Sequence, residues 1–167
     1  RIDRRALLLG LGGGVTTDIT GLAAALLSRG IAWVALPTSL MGMVDAATGG
    51  KTAVNLGAAK NGVGIFHHPR SVLVCTEFTT TEEDRAVKSG LAEVVKSACI
   101  ADAALFAWLE THAAELCARE PAAMQYATRA ALRVKTELVE KDPSESGPRR
   151  LLNFGHTFGH ALEAATR

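Results

Sequence analysis

The apolar run Ala6–Leu11 leads directly into Gly12-Gly13-Gly14, and this junction constrains the fold more than any other feature of the chain. A short apolar run closed by glycines reads as a buried strand feeding a tight turn. Asp18–Ser28 follows, rich in Ala and Leu and stopped by Arg29-Gly30, and reads as a helix. Ile31–Leu36 is a second apolar run, ended by Pro37, and Val72–Cys75 is a third. Strand, helix and strand joined by short turns predict a parallel α/β sheet. Between them, Ser39–Ala47 is expected to form a short helix with Met and Val on one face. Gly49-Gly50-Lys51 is expected to open a loop that runs to about Pro69.

The character changes near Thr80. Thr81-Glu82-Glu83-Asp84 has a capping hydroxyl and acids in a first turn, which signals a helix start. Helices are expected over about 82–100, 102–118, 120–140 and 150–165, with a polar loop holding two prolines at Asp142–Pro148. The fold class is therefore α/β followed by all-α, with the boundary at 80/81.

Length and composition narrow the function. The 167 residues suffice for one domain or parts of two. Aromatics are only 5%, so the core is built mainly from Ala, Leu and Val. A formal net charge of +1 argues against a nucleic-acid surface and a polybasic membrane anchor, while leaving room for a local basic cleft. Every apolar stretch is interrupted by Gly, Asp, Arg or Lys, so no membrane span or signal peptide is read. Cys75, Cys99 and Cys117 are widely spaced and odd in number, which fits a reducing cytoplasm. The chain opens at Arg1 rather than Met and stops at Arg167 inside an expected helix, so a piece of a longer protein is expected.

Four places have the residue types for chemistry. Gly12–Asp18 lies between a strand and a helix, where glycines admit a phosphate and the helix N-terminus favours an anion; a tight turn would want the same glycines, and Asp18 can bind a hydroxyl or cap the helix. Asp45, Lys51, Lys60 and Asn61 fall in a glycine-rich segment and suit phosphate or carboxylate, unless they are scattered solvated charges. Glu93 and Lys96, at i and i+3 among Leu91, Ala92, Val94 and Val95, line a cleft or form an exposed ion pair. The strongest is Asn153-Phe154-Gly155-His156-Thr157-Phe158-Gly159-His160. Histidines at i and i+4 on a helix suit metal ligation or acid–base work, and two glycines in a helix, each costing about 1 kcal/mol against Ala, suggest close approach to something. Lys135 and Arg149 read locally as surface charges, and His67, His68 and His112 receive no chemistry.

Taken together, GGGVTTD, LPTSLMGMVDAATGGKTAVN, KNGVGIFHHPRSVL, SGLAEVVK and LLNFGHTFGHALE resemble the 3-dehydroquinate synthase family, in family order and over most of residues 7–165. The resemblance implies a Rossmann-like NAD-binding α/β domain, of which residues 1–80 are the C-terminal portion, and a helical metal and substrate domain beginning at 81. It implies NAD contacts from Gly13, Gly14, Asp18, Thr38, Ser39, Asp45, Lys51, Lys60, Asn61, Phe78 and Thr81. It implies a metal, zinc or cobalt, held by Glu93 and His156 with a third ligand in a downstream His-Gly-Glu motif. Lys51, Lys96, Lys135, Arg149, Asn153 and His160 are implied to act on substrate, and Asp45 and Asn61 to touch it.

The implied substrate is 3-deoxy-D-arabino-heptulosonate 7-phosphate. Oxidation at C5, phosphate elimination, reduction, ring opening and an intramolecular aldol convert it to 3-dehydroquinate, with His160 moving the C5 proton. A cytoplasmic homodimer is implied for the full-length protein, and inactivity for this stretch alone. Two departures stand out: Thr17 where Gly is usual, which brings a Cβ near the pyrophosphate, and Glu82-Glu83 where Leu-Pro is usual. Two alternatives remain: another sugar phosphate cyclase, of the 2-epi-5-epi-valiolone or 2-deoxy-scyllo-inosose type, and an inactive homologue serving as a binding module.

Overall fold

In a computed structural model, residues 3–57 and 59–166 are described, apart from the side chains at 160, 163 and 164. Strands β1 (Leu7–Gly12), β2 (Ala32–Pro37) and β5 (Ser71–Val72) form a parallel sheet in the order β1-β2-β5. β1 pairs with β2 from Leu7↔Ala32 to Gly12↔Pro37, so both strands end at one edge of the sheet. Side chains alternate across a strand. Trp33 and Ala35 of β2 are accordingly buried with Ile31, Ala24 and Ala47, while Leu7, Leu9 and Leu11 of β1 face outward. The third strand is shorter than Val72–Cys75: only Ser71 and Val72 pair with β2, and a 3₁₀ turn takes over at Thr76–Thr81.

Helix α1 spans Gly14–Leu26, starting four residues before the expected Asp18. Thr17 N donates to Gly13 O at 3.1 Å, which sets the first helical bond inside the glycine run. Thr17 itself is buried, and its hydroxyl donates to Gly14 O at 2.8 Å. Its side chain therefore packs into the fold.

The expected loop from Gly49 to Pro69 is instead mostly an antiparallel hairpin of β3 (Lys51–Leu56) and β4 (Ala59–Phe66), paired from Lys51↔Phe66 to Leu56↔Ala59. Every residue of β4 is exposed, so no apolar alternation announced it. Thr52 is the buried anchor, and its hydroxyl donates to Ile65 O.

The helical part holds α2 (Asp84–Ala101), α3 (Ala103–Thr111), α4 (Ala113–Cys117), α5 (Pro121–Lys141) and α6 (His156–Ala165). Thr81 does not cap α2; its hydroxyl donates to Phe78 O, and Glu83 stands at the N-cap without a side-chain bond. The expected helix 102–118 is two pieces, broken at His112. Asp102 caps the first, accepting from Leu105 N at 2.9 Å. The last expected helix is also divided: a 3₁₀ turn at Pro148–Asn153, then Gly155 in the left-handed region (φ 79°), then α6. Gly155 thus precedes the helix rather than weakening it.

One hydrophobic core crosses the boundary between the two parts. Leu40, Met43 and Val44, from the short helix that includes the π-turn Gly42–Ala46, pack with Val87, Val94, Leu105, Met124 and Ala131. The contact is backbone-close: a Cβ on Gly90 of α2 would lie 2.7 Å from Leu40 Cβ and 2.8 Å from Met41 N. This packing carries the end of β2 and the helices into register around a shared cavity. No helix among the described residues is long and apolar enough to cross a membrane.

Candidate active site

The cavity, of about 330 Å³, is lined by residues from both parts. Asp18 comes from α1, Asp45 from the π-turn, and Lys51, Lys60 and Asn61 from the hairpin. Lys96 comes from α2, Lys135 from α5, and Arg149, Asn153 and His156 from the segment leading into α6. Ten residues expected at a site from the sequence therefore share one wall system.

Lys135 and Arg149 are not surface charges. Lys135 is 6% exposed and Arg149 is 1% exposed. The Lys135 ammonium donates to both the backbone oxygen and Oδ1 of Asp45, joining α5 to the π-turn. Burial works against ionisation of Asp45, but Lys135 and Lys96 outweigh it and hold the carboxyl below its ordinary value. Burial also pulls Lys135 below the ordinary lysine value, against the attraction of Asp45. Asp18 is raised to about 6, by burial first and then by repulsion from Asp45, with Lys135 opposing.

Arg149 Nη1 donates to Pro143 O at 2.7 Å and Nη2 to Gly49 O at 2.8 Å, and its guanidinium carbon stands 5.6 Å from the Phe66 ring centroid. Its Nε is buried and makes no hydrogen bond. Glu93 and Lys96 do share a helix face and pair, with Lys96 buried and Glu93 half-buried rather than an exposed couple. The Lys96 ammonium stands on Glu93 Oε2, a buried oxygen with no other polar partner, so a cation bound there would take over a place that Lys96 now holds. His156 stands at the start of α6 on the cavity wall, its Nδ1 3.4 Å from Phe154 O. A carboxylate and an imidazole are donor types that zinc accepts. Among the described residues no group of three or more His, Cys, Asp or Glu is placed to hold a metal, so these two are a partial set that fits the metal in kind. The side chain of His160 lies outside the described part.

Beside the cavity, the glycine turn lies under the loop that follows β2. Thr38 N donates to Gly12 O at 2.9 Å. A Cβ on Gly13 would lie 3.4 Å from Ser39 Oγ, and one on Gly14 3.0 Å from Ala46 Cβ. Packing against this loop thus asks for small residues before any ligand is considered. No side chain caps α1, so its first N–H groups keep their capacity for an anion, as a dinucleotide pyrophosphate requires. Phe78 and Thr81 lie on the 3₁₀ turn, apart from the cavity wall.

Sequence reasoning missed Glu145 and Asp142 in the polar loop. Glu145 pairs with the Lys51 ammonium and accepts from Asn153 Nδ2 at 2.7 Å. Asp142 shapes the loop: Oδ1 accepts from Ser146 N at 2.9 Å, and Oδ2 from Gly147 N at 2.7 Å and Arg149 N at 3.2 Å. The available signal was two acids within seven residues of Arg149 in a prolyl loop, which is a weak one.

The chain is an α/β sheet with an uncapped helix after its glycine turn, joined to a helical part across a cavity lined by charged residues. More narrowly, it belongs to the 3-dehydroquinate synthase family. Residues 1–89 match the family's N-terminal part and residues 90–167 its C-terminal part. It is 48% identical to the 3-dehydroquinate synthase of Nitrosomonas europaea over 165 residues, which is 99% of this chain and 45% of that protein. With the Bordetella pertussis enzyme the identity is 49%, over 98% of this chain and 46% of the relative. The chain thus spans about half the length of the curated relatives it matches. Among solved structures, the 2-epi-5-epi-valiolone synthase of Streptomyces hygroscopicus subsp. jinggangensis, with NAD+ and Zn2+ bound, superposes with a TM-score of 0.91 at 41% identity, over 97% of this chain and 46% of that one. A 2-deoxy-scyllo-inosose synthase complexed with carbaglucose-6-phosphate, NAD+ and Co2+ gives 0.86 at 27% identity, over 99% and 45%.

Proposed function

We propose that the protein to which this chain belongs is a 3-dehydroquinate synthase. It converts 3-deoxy-D-arabino-heptulosonate 7-phosphate to 3-dehydroquinate and phosphate. The observation that carries the reading is the cavity wall, which gathers Lys51, Lys60, Lys96, Lys135 and Arg149 with Asp18 and Asp45, Lys51 pairing with Glu145, Lys96 with Glu93 and Lys135 with Asp45. Five cationic side chains on one wall suit a substrate bearing both carboxylate and phosphate.

Arg149, held flat by two carbonyls, offers its remaining N–H groups to an oxyanion with little reorganisation. Lys51 and Asn153, linked through Glu145, present a donor pair to the substrate. Lys135 and Lys96 surround Asp45 with positive charge, which keeps that carboxylate ionised to accept hydrogen bonds from hydroxyls. His160 is assigned proton transfer at C5. Gly13, Gly14, Asp18, Thr38, Ser39, Asp45, Lys51, Lys60, Asn61, Phe78 and Thr81 would hold NAD, and Glu93 and His156 would hold zinc or cobalt together with a further ligand. When bound, NAD supplies a reversible hydride acceptor and the metal supplies Lewis acidity at the substrate hydroxyls. The division into a cofactor part and a metal and substrate part falls at 80/81, and the full-length protein works as a cytoplasmic homodimer.

A second reading, a cyclase for another sugar phosphate, is favoured by the fit to the valiolone synthase structure. The higher identity to curated 3-dehydroquinate synthases favours the first. An inactive binding module has no use for a cation ring with a buried Lys135–Asp45 pair. The test is product analysis by NMR after incubating the full-length protein with the heptulosonate phosphate, NAD and zinc. Formation of the dehydroquinate ring supports the proposal, and unchanged substrate alongside turnover of another sugar phosphate refutes it.

A further inference from the structure

We infer that Glu82 is a positioning residue for the dinucleotide site. This rests on the proposed function and goes beyond it. Glu82 follows the 3₁₀ turn Thr76–Thr81, which holds two of the residues proposed to contact NAD. Its Oε2 accepts from Leu40 N at 2.9 Å, across 42 positions of sequence. Leu40 directly follows Thr38-Ser39, a second proposed contact segment. Thr38 N is bonded to Gly12 O, which ties that segment to the glycine turn. One carboxylate therefore fixes the separation between the Thr38-Ser39 loop and the Phe78–Thr81 turn.

The bond also meets a local need. At the start of the short helix, Gly42 N donates to Ser39 Oγ at 3.2 Å and Met43 N to Ser39 O at 2.9 Å. Leu40 N has no such partner within its own segment and takes the Glu82 carboxylate. Helix N-termini favour negative charge, so a carboxylate suits this place. Gly90 presses α2 against the same backbone, leaving the Leu40 N–H half-buried with Glu82 as its acceptor. In this chain a hydrogen bond does the spacing.

The test compares wild type, Glu82→Gln, Glu82→Leu and Glu82→Asp in the full-length protein, with NAD Kd by calorimetry and kcat at saturating NAD. Glu82→Leu and the shortened Glu82→Asp should weaken NAD about tenfold, as loss of one charge-assisted bond implies. Glu82→Gln keeps an acceptor oxygen and should stay within about threefold. kcat at saturating NAD should move by less than about twofold in every variant, which a general loss of structure would not allow. If Glu82→Leu does not fold, the Asp and Gln variants carry the comparison. Wild-type NAD affinity in Leu and Asp variants sinks this inference alone, as does a Gln variant as weak as Leu, or a loss of kcat at unchanged Kd. Failure of the wild type to bind NAD sinks the functional reading and this inference with it.

Discussion

Replacing Asp18 with Asn should stabilise the protein at neutral pH and leave its stability unchanged in acid. The Asp18 carboxyl ordinarily titrates at 3.8 and is raised to about 6 here. Between those values the folded state holds a proton that the unfolded chain has released. Stability therefore falls as pH rises through that window, and the penalty stays constant above it. A displacement of about 2 pH units at 1.36 kcal/mol each sets a ceiling of about 3 kcal/mol. Asp18 is only half-buried, and water screens its repulsion from Asp45, so about 1 kcal/mol is expected. For a chain of this size that is about 2–4 °C in Tm. Melts of wild type and D18N at about pH 3, below the unfolded value of 3.8, and about pH 7.5 give the answer. Equal Tm at the lower pH with a higher D18N value at the upper supports the reasoning. Equal values at both, or a less stable D18N at pH 7.5, would refute it, because Asp18 would then carry no desolvation penalty.

Arg149→Lys should cost about 1–3 kcal/mol, since an ammonium cannot reach both Gly49 O and Pro143 O, and should lower kcat/KM about a hundredfold; melts and steady-state kinetics check both. Gly90→Ala gains about 1 kcal/mol of helix propensity but meets the Leu40–Met41 backbone, and the clash should win by about 1 kcal/mol in urea unfolding. Glu145→Gln should change stability by less than about 1 kcal/mol, because Lys51 is half-exposed, yet raise the substrate KM several-fold; an unchanged KM would remove Glu145 from the site.

The sheet was legible because Ile31–Leu36 is buried enough to read as an apolar run, and because Gly12-Gly13-Gly14 marks the turn. The hairpin was not, because β4 is wholly exposed and its pairing is a backbone matter with few apolar anchors. The helical part was legible in place but not in its breaks. Gly155 takes a left-handed φ that only the structure distinguishes from a helical glycine, and His112 ends α3 with no Gly or Pro to announce it. For the site, motif resemblance named residues that local reading left bland. Lys135 sits on α5 with other polar residues, and nothing in its neighbours says that this turn faces a buried aspartate 90 positions away. Arg149 is hidden for the same reason. Its partners, Gly49 O and Pro143 O, are backbone atoms that leave no trace in residue type. Glu82 was read as a helix-start signal, yet its bond goes to another element.

In the proposed function, the cavity between the two parts turns over a sugar phosphate with help from NAD and a metal. Phosphate release from 3-deoxy-D-arabino-heptulosonate 7-phosphate by the full-length protein, stripped and then resupplied with NAD and zinc together, singly and not at all, tests it most directly. Release is expected only when both are present. Release with neither would mark simple phosphate hydrolysis and contradict the account, as would a folded, fully resupplied protein that releases none.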